Sequence, residues 1–359
     1  MAQALHVAAV VSPEQRTQSS SGGLAAGQST PERGRFLRPQ AWTATVLRKT
    51  VLITSYVVML LVFILAAHGF ATTSNLDVAV DAAIVPALLA VSVTVVLVMG
   101  QFDLSGPAVA SLASIAIALT AGTGGLHSGA GWLLAIAAGI AIGVALGAVN
   151  GVGVAYGRAS SFIVTLAVSS LAGGLELYLQ SKIPQQGTTI NSFQLPKALR
   201  QFTLSTVGGF ALYVVVAAAV VLVFWLLLAR STFGRHAHAL GGNELGARLA
   251  GVPVRRTKVI GFVATGAIAA FAGVVLVSSQ GYFPDATPGY LLPAYAAAFF
   301  GAAAVGRRGF SVPATLFGVL YLETLANGLQ VLNQQPYVIS LVQGAVLLVT
   351  VLVARAEGS

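Results

Sequence analysis

Long apolar stretches separated by short polar segments make up most of the chain beyond residue 45. They are rich in Ala, Val and Leu, and apolar and polar positions do not alternate within them. A run of about 20 apolar residues matches a helix across a hydrocarbon core of about 30 Å, whereas barrel strands alternate over about 10 residues. The pattern predicts an all-α integral membrane protein with about ten transmembrane helices. The predicted spans lie near residues 50–70, 79–100, 106–122, 131–155, 161–180, 208–229, 258–280, 291–305, 311–332 and 336–354.

Composition and domain organisation agree with a membrane protein. The chain is 56% hydrophobic and 8% charged, whereas a soluble domain carries about 25% charged residues, so the lipid bilayer must be its solvent. Residues 1–45 are rich in Ser, Gln, Gly and Arg, which predicts a disordered N-terminal tail ahead of a transmembrane domain at 46–355. The net charge of +9 is assigned to cytoplasmic loops, and no nucleic-acid partner is predicted.

The basic residues predict the orientation in the cell membrane. With a cytoplasmic N-terminus and one crossing per span, 16 of the 19 Lys and Arg residues fall on the cytoplasmic side, as does the C-terminus. The outer side holds Lys182, Lys197 and Arg200. Such an asymmetry is typical of the cytoplasmic loops of membrane proteins, and one missed span would destroy it.

The chain is poor in catalytic groups, so no catalytic residue, cofactor site or metal site is predicted. It has no cysteine, and its histidines form no metal-like pairing with carboxylates. His236 and His238 are interpreted as part of a basic, solvated loop. None of the four lysines follows a glycine, so no phosphate-binding loop is present and any ATP hydrolysis requires a separate subunit.

Several acidic residues lie in or near the predicted spans. Asp81 and Asp103 fall at span boundaries, where a carboxylate can reach the membrane interface. Glu176 and Glu323 fall deeper, where an ionisable group costs roughly 2.5–3.5 kcal/mol on insertion scales. These two are the candidate pathway-lining residues, with a buried hydrogen bond as the alternative.

The stretch 241–251 predicts a short cytoplasmic helix. Asn243 is a suitable N-cap, Glu244 complements the positive N-terminal end, and Gly251 can end the helix in the left-handed conformation. Leu245 and Leu249 share one face. Such a helix either docks in a groove of a partner or lies on the bilayer surface.

Four segments together resemble the ribose-type family of ATP-binding-cassette (ABC) importer permeases. This family contains the membrane subunits of sugar importers and is related to the branched-chain amino acid permeases. The resemblance covers roughly residues 50–354. Its motifs are Gly100-Gln-Phe-Asp-Leu-Ser105, Asn150-Gly-Val-Gly-Val-Ala-Tyr-Gly-Arg158 with Phe162-Ile-Val-Thr-Leu166, Phe233-Gly-Arg235, and Ala239-Leu-Gly-Gly-Asn-Glu244 with Ala247-Arg-Leu-Ala-Gly-Val252. The signature positions carried over are Gly100, Asp103, Leu104, Ser105, Asn150, Gly151, Arg158 and Thr165.

The resemblance implies a membrane subunit that imports a small sugar or sugar-like solute. Its expected partners are cytoplasmic ABC ATPase subunits, a second permease copy or paralogue, and an extracytoplasmic solute-binding protein. The coupling helix that meets the ATPase would comprise Gly241, Gly242, Asn243, Glu244, Ala247, Arg248 and Gly251.

The chain departs from the family pattern at several positions. Gln101 and Phe102 replace a Gly-Ile pair, Gly106-Pro107 replaces Val-Gly, and Ser161 stands where the family has a proline. The identity of the solute therefore does not follow. Two alternatives stay open, namely a branched-chain amino acid permease and a proton-coupled transporter using Asp81, Glu176 or Glu323.

Overall fold

The computed structural model describes residues 39–122, 131–157, 159–183, 189–284, 286–305 and 309–356, and this part of the chain is almost entirely helical. The helices are α1 (Pro39–Ala66), α2 (Thr73–Val98), α3 (Gly106–Gly122), α4 (Gly131–Tyr156), α5 (Ser161–Gln180), α6 (Lys197–Leu204), α7 (Leu212–Arg230), α8 (Thr232–Gly242), α9 (Glu244–Leu249), α10 (Val254–Gln280), α11 (Leu291–Val305), α12 (Val312–Val331) and α13 (Pro336–Ala356). The short strands are β1 (Ile190–Asn191), β2 (Thr206–Val207), β3 (Phe210–Ala211) and β4 (Gly281–Tyr282).

Among the described residues, six helices are long and apolar enough to cross a membrane, namely α2, α4, α5, α7, α10 and α12. Helices α1, α3, α11 and α13 contain shorter apolar stretches. Each predicted span coincides with one of these helices, so the all-α membrane architecture is confirmed. The number of crossings and the sides of the termini stay predictions.

Helices α2 and α10 form the centre of the bundle. In each, 72% of the residues in an apolar stretch of 18 are buried, compared with 17–22% in the corresponding stretches of α4, α5 and α7. All of these helices are similarly apolar, because lipid-facing and protein-facing surfaces in a membrane favour the same residue types. Position within the bundle is therefore set by packing shape rather than by hydropathy.

Among the described residues, the most extensive helix contact is α4 against α10. Every fourth residue of α4 from Gly131 to Gly151 is Gly or Ala, and all of them are buried. A Cβ atom on Gly147 would overlap the carbonyl oxygen of Phe262, and one on Gly151 would crowd the backbone of Val259. Small residues at this spacing let two backbones come into direct contact, which replaces the missing hydrophobic driving force between helices in lipid.

The chain between α5 and α7 forms a small cap, residues 189–211, which contains α6 and the strands β1, β2 and β3. Strand β1 pairs with β4 and β2 pairs with β3, both antiparallel. Leu195 and Leu199 are buried beneath it, whereas Phe193 and Phe210 are exposed. The predicted topology of one crossing per span puts this segment, with Lys197 and Arg200, on the outer side.

One sequence interpretation needs correction. The predicted solvated loop containing His236 and His238 is helix α8. It is capped by Ser231, whose hydroxyl accepts from the Gly234 N–H, and Leu240 packs into the core. Helix α1 begins at Pro39, ahead of the predicted span, while residues 1–38 of the predicted tail lie outside the described residues. The domain division at 45/46 therefore stays a prediction.

Replacing Gly147 with valine should destabilise the protein by about 1–3 kcal/mol, because the added side chain forces α4 away from α10. Thermal unfolding of the detergent-solubilised protein measures the loss. The matched control is Gly173→Val on α5, where a Cβ atom has nothing within 4 Å. Equal unfolding temperatures for the two variants would contradict the close packing.

Candidate functional site

The chain is unwound between α2 and α3. Gly100 takes the left-handed conformation, with φ of 70°, and ends α2. Residues 101–105 are non-helical, and α3 begins at Gly106. Non-helical backbone inside a membrane bundle is tolerated only where protein or trapped water satisfies its polar groups.

Side chains satisfy the backbone of this unwound segment. Four consecutive N–H groups each donate to a side-chain oxygen. The pairs are Phe102 N–H to Ser161 Oγ at 3.1 Å, Asp103 N–H to Tyr295 Oη at 2.9 Å, Leu104 N–H to Thr165 Oγ1 at 3.1 Å, and Ser105 N–H to Asp103 Oδ1 at 2.9 Å. The acceptors come from α5, α11 and the segment itself, so the unwound segment is held by other helices.

The Asp103 carboxylate joins this segment to α10. Its Oδ1 also accepts from the Ser105 hydroxyl at 2.6 Å, and its Oδ2 accepts from the Thr265 hydroxyl at 2.8 Å. The residue is 3% exposed, and within the described residues no cationic side chain pairs with it. A buried carboxylate depends on such donors, because unpaired burial is costly. Asp103 is therefore enclosed by protein and held by hydrogen bonds.

Asn150 extends the network to α4. Its Nδ2 donates to Ser105 Oγ at 2.8 Å, and its side chain is buried. Its Oδ1 has no hydrogen-bond partner among the described residues. Signature positions carried over from the resemblance thus form one cluster although they come from three separate segments: Asp103 and Ser105, Asn150, and Thr165. Arg158 lies outside the described residues.

Three members of this network were not predicted as site residues. Thr265 and Tyr295 lie in none of the sequence motifs, and only the tertiary fold shows that they contact Asp103. Ser161 did give a signal, because it replaces the proline expected from the family. Its hydroxyl supplies the acceptor for the Phe102 N–H, so this departure contributes directly to the network.

The short helix predicted within 241–251 is present as α9, whereas Gly241 and Gly242 belong to the end of α8. The Asn243 Oδ1 accepts from the Gly246 N–H at 2.8 Å, and Gly251 has φ of 82° just after the helix. Glu244 forms ion pairs with Arg248 at 3.2 Å and with Lys258 at 3.0 Å. Because Lys258 is nearly buried at the start of α10, the second pair fixes α9 to the bundle.

Helix α9 presents an exposed face. Leu245 is 66% exposed and Leu249 is 81% exposed, while Ala247 is buried on the opposite side. The Arg248 side chain is 64% exposed beside the two leucines. Two exposed leucines with an adjacent arginine suit insertion into a partner's groove.

Glu176 lies in a hydroxyl cluster. Its Oε1 accepts from Ser111 Oγ at 2.6 Å and from Tyr282 Oη at 2.8 Å, and Tyr282 Oη accepts from Gln180 Nε2 at 2.7 Å. The residue is half-buried on α5. The buried hydrogen bond considered from the sequence is present, and the carboxylate is also partly accessible.

Glu323 lies elsewhere, in a cavity of about 370 Å³ between α1, α2 and α12. Asn75 and Asn327 form a reciprocal amide pair along its wall, with N–O distances of 2.9 and 3.1 Å. No hydrogen-bond donor within the described part of the chain reaches the Glu323 carboxylate. The structure therefore assigns Glu176 and Glu323 to separate environments.

Residues 74–351 match the model of a family described as branched-chain amino acid transport system / permease component. The matched range contains the unwound segment, its hydrogen-bond partners and α9. The match also covers Glu176 and Glu323, but not α1, which forms one wall of the Glu323 cavity.

Named relatives are similar over most of their length. The chain is 34% identical over 325 residues to the ribose import permease protein RbsC of Escherichia coli (strain K12), which covers 89% of this chain and 96% of that protein. It is 32% identical to the L-arabinose transport system permease protein AraH of the same strain, over 80% of this chain and 84% of that protein. It is 30% identical to the autoinducer 2 import system permease protein LsrD of Yersinia pseudotuberculosis, covering 75% and 79%.

Replacing Thr265 with valine should cost about 1–3 kcal/mol of stability, because Asp103 Oδ2 loses its donor in a buried place. The thermal unfolding temperature in detergent is the readout. Thr120→Val is the control, since its hydroxyl bonds only to carbonyls of its own helix. An equal effect of both substitutions would show that the Asp103 contact adds nothing.

Proposed function

This chain belongs to the branched-chain amino acid transport system / permease component family, and we propose that it is the permease subunit of an ATP-driven importer for a small sugar or sugar-like solute. The observation that carries the proposal is the match to a ribose import permease over 96% of that protein's length. A second relative is named for L-arabinose transport. The family description favours branched-chain amino acids as the second candidate, but these individual relatives favour sugars.

A separate ATPase supplies the energy in this proposal. The chain has no phosphate-binding loop, and α9 offers two exposed leucines and Arg248 to a partner. Its N-cap and the Glu244–Lys258 ion pair make α9 a rigid extension of the bundle rather than a free loop. ATP binding and hydrolysis in the partner then move α9 and, with it, the helices to which it is attached.

A second permease copy or a paralogue completes the pathway in this proposal. Glu176 supports a polar wall, because its Oε1 is already held by hydroxyl groups and a polyol can exchange with them. Glu323 is the second proposed wall residue, since its carboxylate lines a cavity and accepts no hydrogen bond from the described residues. Contacts of this kind hold a solute transiently, as a transport pathway requires.

An extracytoplasmic binding protein delivers the solute to the cap between α5 and α7. The cap exposes Phe193, Leu204 and Phe210 on the predicted aqueous side. Residues 189–211 include Lys197 and Arg200 but no acidic residue. An apolar surface with a basic rim favours a partner that carries carboxylates around an apolar patch.

Co-purification and reconstitution test the proposed function. The chain is extracted in mild detergent through a C-terminal tag, its partners are identified by mass spectrometry, and the complex is placed in liposomes with radiolabelled ribose, L-arabinose or leucine. A bound P-loop ATPase and ATP-dependent sugar uptake are expected. Leucine uptake would identify the amino acid alternative. Uptake by the chain alone, abolished when the proton gradient collapses, would refute the ATP-driven mechanism.

Replacing Arg248 with glutamate should lower ATP-driven uptake by about tenfold, because the charge reversal lies on the face of α9 that meets the ATPase. Folding should be preserved, since an exposed i,i+4 ion pair contributes only about 0.3–0.5 kcal/mol. Arg256→Glu is the matched control, an exposed residue on the same predicted side but outside α9. Normal uptake by Arg248→Glu would argue against α9 as the docking element.

A further inference from the structure

The last turn of α8 touches the end of α2 directly through backbone atoms. A Cβ atom on Gly241 would overlap the carbonyl oxygen of Val98 and would lie 3.3 Å from the Gly100 nitrogen. Gly100 faces it in the left-handed conformation, and a Cβ atom there would lie 3.6 Å from the Gly241 Cα. No flexible side chain separates the two helix ends, so this contact cannot be compressed.

The end of α2 also packs against α10. A Cβ atom on Gly261 of α10 would overlap the side chain of Met99, which is buried. The end of α2 therefore packs against both α8 and α10. A displacement of α8 cannot be absorbed by a gap at this point and must move the end of α2 or the chain that follows it.

The chain that follows is the unwound segment. Phe102 N–H and Leu104 N–H bind Ser161 and Thr165 on α5, and the Tyr295 hydroxyl on α11 bonds both the N–H and the carbonyl of Asp103. A shift of this segment changes the hydrogen bonds that link it to two further helices, α5 and α11. Rearranged hydrogen bonds are a common way in which small shifts become larger movements.

We propose that Gly241 is the positioning residue through which a displacement of α9 reaches the unwound segment 101–105, and through it α5 and α11. This inference rests on the proposed function, because it requires an ATPase that moves α9. Asn243 alone separates α8 from α9, so the two short helices transmit movement as one piece. The absence of a side chain at Gly241 is what allows the contact with α2.

The substitution Gly241→Ala tests the proposal. The chain has no cysteine, so Phe102→Cys provides a single labelling site on the unwound segment, where the native side chain is 41% exposed. Thiol labelling of this site is measured with and without ATP in the complete complex in liposomes, together with ATP hydrolysis and solute uptake. Gly344→Ala on α13 controls for a helical glycine-to-alanine change, because a Cβ atom there meets nothing within 4 Å.

The expected result is a loss of coupling. In the Gly241→Ala complex, ATP hydrolysis should stay within about twofold, uptake should fall by about tenfold, and the ATP-dependent change in labelling at position 102 should disappear. Gly344→Ala should behave like the unaltered chain. An ATP-dependent labelling change and uptake preserved in Gly241→Ala would overturn the proposal, as would position 102 failing to respond to ATP in an otherwise unaltered, active complex.

A second variant keeps the test decisive if Gly241→Ala does not assemble with the ATPase. Ser161→Ala removes the acceptor of the Phe102 N–H and lies away from α9. It should reduce uptake while hydrolysis continues, and normal uptake would overturn the proposed route to α5.

The complex with native Gly241 and Ser161 is measured first. Lack of an ATPase or of ATP-driven uptake there would refute the proposed function, whereas coupled uptake in both variants would refute this inference alone.

Discussion

The structure depends on one constraint, which is that backbone polar groups inside a bilayer need partners. Between Gly100 and Gly106 the chain leaves the helical conformation and loses its internal partners. Side chains of α5 and α11 and the Asp103 carboxylate take their place. Thr265 in turn donates to that carboxylate, and Asn150 donates to the Ser105 hydroxyl. Since the supporting groups come from α4, α5, α10 and α11 as well as from the segment itself, the unwound segment requires these four helices to converge on it. The cluster of family signature positions is the outcome of that requirement.

Much of this arrangement could be predicted from the sequence, and the remainder has physical reasons for being hidden. Hydropathy located the helices because about 20 apolar residues are needed to cross lipid. Local rules identified α9, since Asn243 and Gly251 act within their own turn. Hydropathy could not distinguish the buried α2 from the exposed α7, because lipid and protein interior select the same side chains. Tyr295 and Thr265 reach the site only through the tertiary fold, and α8 was missed because its apolar face is short.

Electrostatics and packing have different roles in the two halves of the site. On α9 the charges are exposed or lie at the edge, where Glu244 is shared between Arg248 and Lys258 and fixes the orientation of a short helix. At the unwound segment the Asp103 charge is enclosed and serves as a hydrogen-bond acceptor rather than as a member of an ion pair. The first arrangement leaves side chains free for a partner, whereas the second fixes backbone geometry. Glycines at the contact between α8 and α2 join the two halves without any intervening side chain.

The glycine face of α4 has a consequence for how the protein is made. Its partner α10 begins at Val254, whereas α4 ends at Tyr156, so the ribosome synthesises nearly one hundred residues before the two helices can meet. At about 5–20 residues per second, α4 spends roughly 5–20 s in the bilayer or at the insertion machinery without its partner. During that interval the groove along Gly143, Gly147 and Gly151 is open to lipid and to other nascent helices. Biogenesis thus includes a waiting period in which the surface that later forms the most extensive helix contact of the described protein is still uncovered.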